Sequence, residues 1–94
     1  MERKPKSQWR KSLFLVALED HLLRNSNSDP SFAMRVVVRH PVIQAGNWER
    51  NEERYVPEIE GVMAMEWLDE DVVTFITSQS NITIKADEIV GYYS

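Results

Sequence analysis

The sequence predicts an α+β domain in which one N-terminal helix is followed by five antiparallel β-strands. Three observations support this prediction: the length of 94 residues, an apolar stripe at helical spacing over residues 8–24, and a series of short β-rich runs over residues 32–94. A chain of this length supports one hydrophobic core, so residues 1–94 are expected to form a single domain. An apolar fraction of 43% is too high for an intrinsically disordered chain.

The predicted helix covers residues 8–24, with Ser7 as its N-cap and the polar run from Asn25 as its end. Its apolar side chains form a wide stripe, which we expect to be buried. The stripe consists of Trp9, Leu13, Val16 and Ala17, extended by Leu15, Leu18 and Leu22. A strand over residues 13–18 is the alternative, but only one of those six residues is β-branched. Residues 1–6 are predicted to be a flexible basic arm.

The first strand is predicted from Phe32 to His40, and Pro41 closes it because proline cannot donate to a ladder of hydrogen bonds. Residues 42–43 could continue the strand past a kink at this proline. A long, exposed hairpin connection is expected from Gln44 to Arg54, since this segment contains a small-residue turn and a charged run.

The second strand is predicted from Tyr55 to Leu68, which is long enough that we expect a bend at Gly61. Side chains alternate between the two faces of a strand. Strict alternation places Ile59, Gly61, Met63, Met65 and Trp67 on one face, and Val62 and Ala64 on the other.

Three shorter runs complete the predicted sheet, over residues 72–77, 82–85 and 89–93, and polar turns separate them. One helix followed by five short strands, of which the second is long and bent, is typical of a small SH3-like or Sm-like barrel. The barrel is expected to cover residues 32–94. The helix would then cover an open end of the barrel and bury its apolar stripe there.

Charge is unevenly distributed along the chain, whose net charge is −4. Residues 1–30 carry six basic and four acidic side chains, whereas residues 31–94 carry five basic and eleven acidic ones. An acidic main surface argues against non-specific DNA binding, because phosphate neutralisation dominates that affinity. The basic side chains nevertheless define an alternative nucleic-acid-binding surface. It would contain Arg3, Lys4, Lys6, Arg10, Lys11, Arg35 and Arg39.

No residue pattern indicates catalysis or metal binding. The two histidines, His21 and His40, lack metal-ligand spacing, and the three glycines are isolated, so no phosphate-binding loop is predicted. The chain has no cysteine for a disulfide or a thiolate site. We therefore predict a protein that is not an enzyme and needs no cofactor or metal. The absence of cysteine, and of any apolar run near the roughly 18 residues of a membrane span, favours a cytoplasmic protein without membrane contact.

A protein partner is the predicted ligand. An isolated tryptophan in a charged loop is a candidate anchor for a partner, and an acidic turn offers further charge. The expected contact residues are Trp48, Glu49, Arg50, Glu52, Glu53, Arg54, Asp69, Glu70 and Asp71. Packing of Trp48 against its own barrel is the alternative. The final strand, with Tyr92 and Tyr93, could also present an unpaired edge through which copies of the chain associate.

Residues 59–90 carry a pattern with an apolar-x-Gly-apolar start at Ile59, a Leu-Asp turn at Leu68, an Ile-x-Ile pair at Ile82 and the closing run Asp87-Glu88-Ile89-Val90. This pattern resembles the YolD-like family of small bacterial and phage proteins. The segment with Trp9, Leu18, Glu19 and His21 is similar to the N-terminal part of that family. The short connection after the helix and the long loop at residues 44–54 depart from the family. The resemblance implies a partner or regulator, in some members associated with error-prone polymerases.

These observations together predict a non-enzymatic interaction or regulatory module that binds a protein partner. Two alternatives stay open. One is an Sm-like nucleic-acid-binding protein, which would show steep salt dependence. The other is a phage or plasmid-encoded inhibitor whose acidic surface occupies a basic nucleic-acid site on its target.

Overall fold

A computed structural model of the protein describes residues 4–45 and 53–94, and the side chains of residues 45, 53 and 54 are outside this description. Most of the predicted hairpin connection, including Trp48, therefore lies outside the described residues. The described chain contains one α-helix, two short 3-10 helices and five strands. This confirms the predicted order of one N-terminal helix followed by five antiparallel strands.

The helix, α1, runs from Leu13–Ser28 and is therefore shifted relative to the predicted range of residues 8–24. A 3-10 turn at Lys6–Gln8 follows Pro5, and the N-cap is Ser12 rather than Ser7. Residues 25–28, which were predicted to begin a loop, are helical, and the side chains of Asn25, Ser26 and Ser28 donate back to helix carbonyls.

Only part of the predicted apolar stripe of α1 is buried. Leu15, Leu18 and Leu22 are 1%, 0% and 2% exposed, and their spacing places them on one face of the helix. Leu13 is 85% exposed and Val16 is 37% exposed, although both were predicted to belong to the buried stripe. Residues 13–18 are apolar on nearly every side of the helix, and the sheet selects which side is covered.

The strands are β1 (Met34–Ala45), β2 (Glu53–Asp69), β3 (Val72–Thr77), β4 (Asn81–Lys85) and β5 (Ile89–Tyr93). They form one antiparallel sheet in the order β4-β3-β2-β1-β5. The sheet is open, since β4 and β5 are its edges and do not pair with each other in the described chain. The five predicted strands are therefore present, but they are not closed into a barrel. The two edge strands are joined by a 3-10 turn at Ala86–Glu88 rather than by a hairpin, and they lie at opposite ends of the strand order.

Strand β1 does not end at His40 but continues through Pro41, which agrees with the alternative in which residues 42–43 extend it. Val37 lies opposite Glu58 and Val42 lies opposite Val56, so residues 38–41 of β1 face a single residue of β2. The proline thus sits in an irregular segment where the β1–β2 ladder is interrupted. A missing N–H donor is tolerated in such a segment.

Gly61, where the sequence predicts a bend in β2, has φ +69° and lies in a β-bulge between the pairs Met34–Val62 and Val36–Ile59. The predicted faces of β2 are wrong. Ile59 and Val62 are both fully buried although they are three residues apart, since an extra β2 residue is inserted between them. A second irregularity follows Val62, and Trp67 then returns to the buried face. Each inserted residue reverses the alternation of side chains.

The hydrophobic core lies between α1 and the sheet, and α1 packs mainly on β2. Its largest fully buried side chain is Phe75 of β3, at 0% exposure. The buried core residues are Leu15, Leu18, Leu22, Met34, Val36, Val38, Ile59, Val62, Trp67, Val73, Phe75, Ile82 and Ile89. Trp9, in the segment before the helix, packs partly buried against this core.

Candidate functional site

The acidic turn between β2 and β3, residues 69–71, is held by its own hydrogen bonds. Asp69 Oδ1 accepts a hydrogen bond from the Glu70 amide at 2.7 Å. The Asp71 carbonyl accepts one from the Ala86 amide at 2.7 Å, which ties the turn to the connection between the edge strands. The Glu70 carboxylate is left to face the segment that precedes α1.

The basic segment before the helix lies against this turn. Lys4 Nζ is 3.3 Å from Glu70 Oε1, and the Arg10 amide donates to Glu70 Oε2 at 3.1 Å. The hydrogen bond from Arg10, and then the contact with Lys4, hold the pKa of Glu70 below its ordinary value. The carboxylate therefore recognises one main-chain N–H and one side-chain cation of the same segment.

Two tryptophans lie beside the contact between the basic segment and the acidic turn, and each has a lysine near its ring. Trp9 Nε1 donates to the Lys4 carbonyl at 3.0 Å, and Lys6 Nζ lies 5.9 Å from the centre of the Trp9 ring. Lys11 Nζ lies 5.1 Å from the centre of the Trp67 ring, within the range of a cation–π contact. We call residues 4–11 the basic segment, and Trp67 with residues 69–71 the acidic turn surface.

The structure therefore brings together two groups of residues that the sequence assigned to different sites. The predicted protein-binding residue Glu70 contacts Lys4 and Arg10, which were predicted to bind nucleic acid. Opposite charge was the only sequence signal for this pairing, because Arg10 and Glu70 are 60 residues apart. Arg3 lies outside the described residues.

Arg35 has acidic neighbours of its own. Its Nη1 is 3.7 Å from Glu58 Oε2 and 3.7 Å from Glu60 Oε1. The hydroxyl of Tyr93 donates to Glu58, and this bond raises the pKa of Tyr93 above its ordinary value. Arg39 is exposed and forms no ion pair with a described residue. Two carboxylates therefore already lie within ion-pair distance of Arg35, before any phosphate arrives.

The end of the β1–β2 hairpin carries two exposed apolar side chains that the sequence reasoning missed. Ile43 and Tyr55 lie opposite each other in the ladder, and they are 48% and 72% exposed. Their positions on either side of the charged run were the signal that could have identified them. The predicted contact residues Trp48, Glu49, Arg50 and Glu52 lie outside the described residues, and Glu53 and Arg54 are described only as the start of β2.

The side chain of Gln44 fixes this hairpin to the body of the sheet. Gln44 Nε2 donates to the Glu60 carbonyl at 2.9 Å, and the Glu60 amide donates to Gln44 Oε1 at 3.1 Å. The amide group thus pairs with main-chain groups of β2 as a neighbouring strand would. These two hydrogen bonds hold the β1 side of the hairpin end against the main chain of β2 at Glu60.

Side chains that could ligate a metal ion are not clustered in the described residues. No group of three or more His, Asp and Glu residues with the geometry of a metal site occurs in the described ranges 4–45 and 53–94. His40 Nδ1 is 2.7 Å from Glu88 Oε2, which forms an exposed pair across β1 and the Ala86–Glu88 turn. No helix in the part of the chain that the structure describes is both long and apolar enough for a bilayer crossing.

Comparison of the chain with protein-family models, with curated proteins and with solved structures gave no match. The geometry of the described residues is therefore the basis for assigning a function.

Proposed function

We propose that the protein is a non-enzymatic interaction module that binds a protein partner through the end of its β1–β2 hairpin. The observation that supports this proposal is the exposed cross-strand pair of Ile43 and Tyr55. Tyrosine is enriched at binding hot spots, since it offers a large rigid ring and a polar hydroxyl. In the sequence, Ile43 and Tyr55 flank six of the nine predicted contact residues: Trp48, Glu49, Arg50, Glu52, Glu53 and Arg54.

The position of the pair in the sheet adds support. Residues 53–56 of β2 pair only with residues 42–45 of β1 among the described strands, so the hairpin end extends beyond β3 and β5. The two hydrogen bonds of Gln44 hold this extension in place. A surface that is ordered before binding loses less conformational entropy when the partner arrives.

The experiment is affinity capture from a lysate, with nuclease treatment and with washes at low and high salt. We expect a protein partner to be retained by the wild type and lost when Ile43→Ser and Tyr55→Ser are combined. Leu68→Ser is the matched control, because Leu68 is also an exposed apolar residue, at 46%, but lies at the other end of β2. Retention of the same partner by the double variant would refute this location. Loss of the partner on nuclease treatment would refute a protein–protein contact.

Nucleic-acid binding is the weaker function, because two of the cations that would serve it already face carboxylates. Lys4 contacts Glu70, and Arg35 contacts Glu58 and Glu60. Phosphate groups would have to displace these carboxylates before they gained a contact. Such binding would weaken steeply with salt, and the salt washes distinguish it from a salt-resistant protein complex.

Association of copies through the edge strands is compatible with this function. Strands β4 and β5 each offer five residues with a side that is unpaired in the described chain. Val90, the second residue of β5, is 51% exposed. Unpaired edges of this kind can add a strand from another chain. Light scattering over a range of concentrations measures this association, and a monomer throughout would exclude it.

A further inference from the structure

The basic segment lies on the acidic turn surface in the manner of a bound peptide. Its contacts are spread over main chain and side chains: the Arg10 amide and the Lys4 ammonium share the Glu70 carboxylate, and Lys11 lies over Trp67. Trp9, which belongs to the same segment, is partly buried against the core. The segment contains no α-helix or strand, and only a single 3-10 turn.

We infer that the acidic turn surface is a recognition site for a basic, tryptophan-containing peptide segment of a partner protein, and that residues 4–11 occupy this site as an intramolecular competitor. The site is separate from the hairpin end, so the inference does not rest on the function proposed above. The partner class follows from the contacts: a main-chain N–H and a cation for Glu70, a second cation for Trp67, and one aromatic ring at the position of Trp9.

Charge complementarity supports a basic partner. Residues 31–94, which contain the site, carry eleven acidic and five basic side chains.

The contacts are also weak enough to be exchanged. The Lys4 side chain is 57% exposed and that of Glu70 is 27% exposed, so solvent screens their attraction. The basic segment remains in place because its attachment to α1 gives it a high local concentration, for short linkers on the order of 1 mM. A partner segment with similar contacts can therefore compete for the site when its own affinity is sufficient.

The test uses a fluorescent peptide with the sequence of residues 3–12 and measures its binding to the full-length protein by anisotropy. A variant that combines Lys4→Ser, Trp9→Ser and Lys11→Ser removes the side-chain contacts of the basic segment with the site and leaves only the Arg10 amide on Glu70. We expect this variant to bind the peptide at least ten times more tightly than the wild type. Equal affinity of the two proteins, or binding to neither, would overturn the inference.

Two charge reversals, each made in the triple variant, test the specificity of peptide binding. Glu70→Lys removes the acceptor and should weaken the peptide at least tenfold. Glu66→Lys makes the same change at an exposed position of β2 and should leave binding within about twofold. Equal losses would indicate non-specific attraction to a negative protein and would overturn the inference.

Trp9 contacts the core, so the triple variant could lose its fold. The double variant Lys4→Ser with Lys11→Ser keeps Trp9 and serves as the second test. We expect it to bind the peptide at least three times more tightly than the wild type, with an unchanged circular dichroism spectrum. A peptide affinity equal to that of the wild type would overturn the inference, because the two lysines would then not hold the segment on the site.

Discussion

The buried face of α1 can be tested by comparing two leucines on opposite sides of the same helix. Leu18 is 0% exposed and belongs to the core, whereas Leu13 is 85% exposed. The sequence alone favoured both residues as members of one buried stripe. Replacement of each by alanine therefore separates the structure from the sequence pattern.

The expected loss for Leu18→Ala follows from its complete burial. The substitution removes the equivalent of about three methylene groups, or roughly 2.4 kcal/mol of transfer free energy at ~0.8 kcal/mol each. The cavity left behind adds to this loss, which gives a total of about 3 kcal/mol within the usual range of 2–5 kcal/mol. Leu13→Ala should change the free energy of unfolding by no more than about 0.5 kcal/mol, since leucine and alanine are both good helix formers.

Urea denaturation followed by circular dichroism measures both variants. For a urea m-value of about 1–3 kcal/mol per molar, the midpoint for Leu18→Ala should fall by about 1–3 M, and the midpoint for Leu13→Ala should hardly move. Equal shifts, or a larger shift for Leu13→Ala, would mean that the wrong face of α1 has been placed against the sheet.

Two further predictions concern the bend of β2 and the basic segment. Gly61→Ala should destabilise the protein by about 1 kcal/mol, because φ is +69° there and no atom would contact the added methyl group, so the cost is that of the backbone alone. Gly91→Ala is the control, since its nearest contact would be an ordinary 3.9 Å, and thermal melting should rank the two in that order. The pKa of Glu70 is lowered in the folded protein. The contribution of this carboxylate to the stability of the folded protein should therefore be complete above its ordinary pKa of 4.5, and it should be lost as the pH falls through the lowered pKa. The NMR shift of the Arg10 amide should follow this titration, and Glu70→Gln should abolish it; an amide shift with the same pH dependence in that variant would contradict the assignment.

The elements that local patterns define were predictable from the sequence. Strand β3 begins and ends at the predicted residues, because an acidic turn precedes Val72 and the polar run from Ser78 follows Thr77. The bend at Gly61 was predictable for a similar reason, since a lone glycine within a long β-rich run indicates an irregular backbone.

The faces of β2 and the basic segment's location could not be predicted in this way. The extra residues around Val62 are required by the neighbouring strands, and alternation in β2 itself carries no sign of them. The contact of Arg10 with Glu70 depends on how α1 enters the sheet, so it is a property of the folded chain. The same holds for the choice between Leu13 and Leu18 as buried residues of α1.

The pairing of β2 divides the sheet at one residue. Up to Val62, the strand pairs with β1, and from Val62 onward it pairs with β3; only Val62 has a partner on each side, Met34 and Thr77, among the described pairings. Two half-sheets, one with β1 and β5 and the other with β3 and β4, are thus joined by the covalent continuity of β2 and by the shared core rather than by a continuous ladder. In hydrogen exchange these halves would behave as two cooperative units. A partner that held the hairpin end would therefore protect its own half directly, and would reach the β4 edge only by way of the packed side chains between α1 and the sheet.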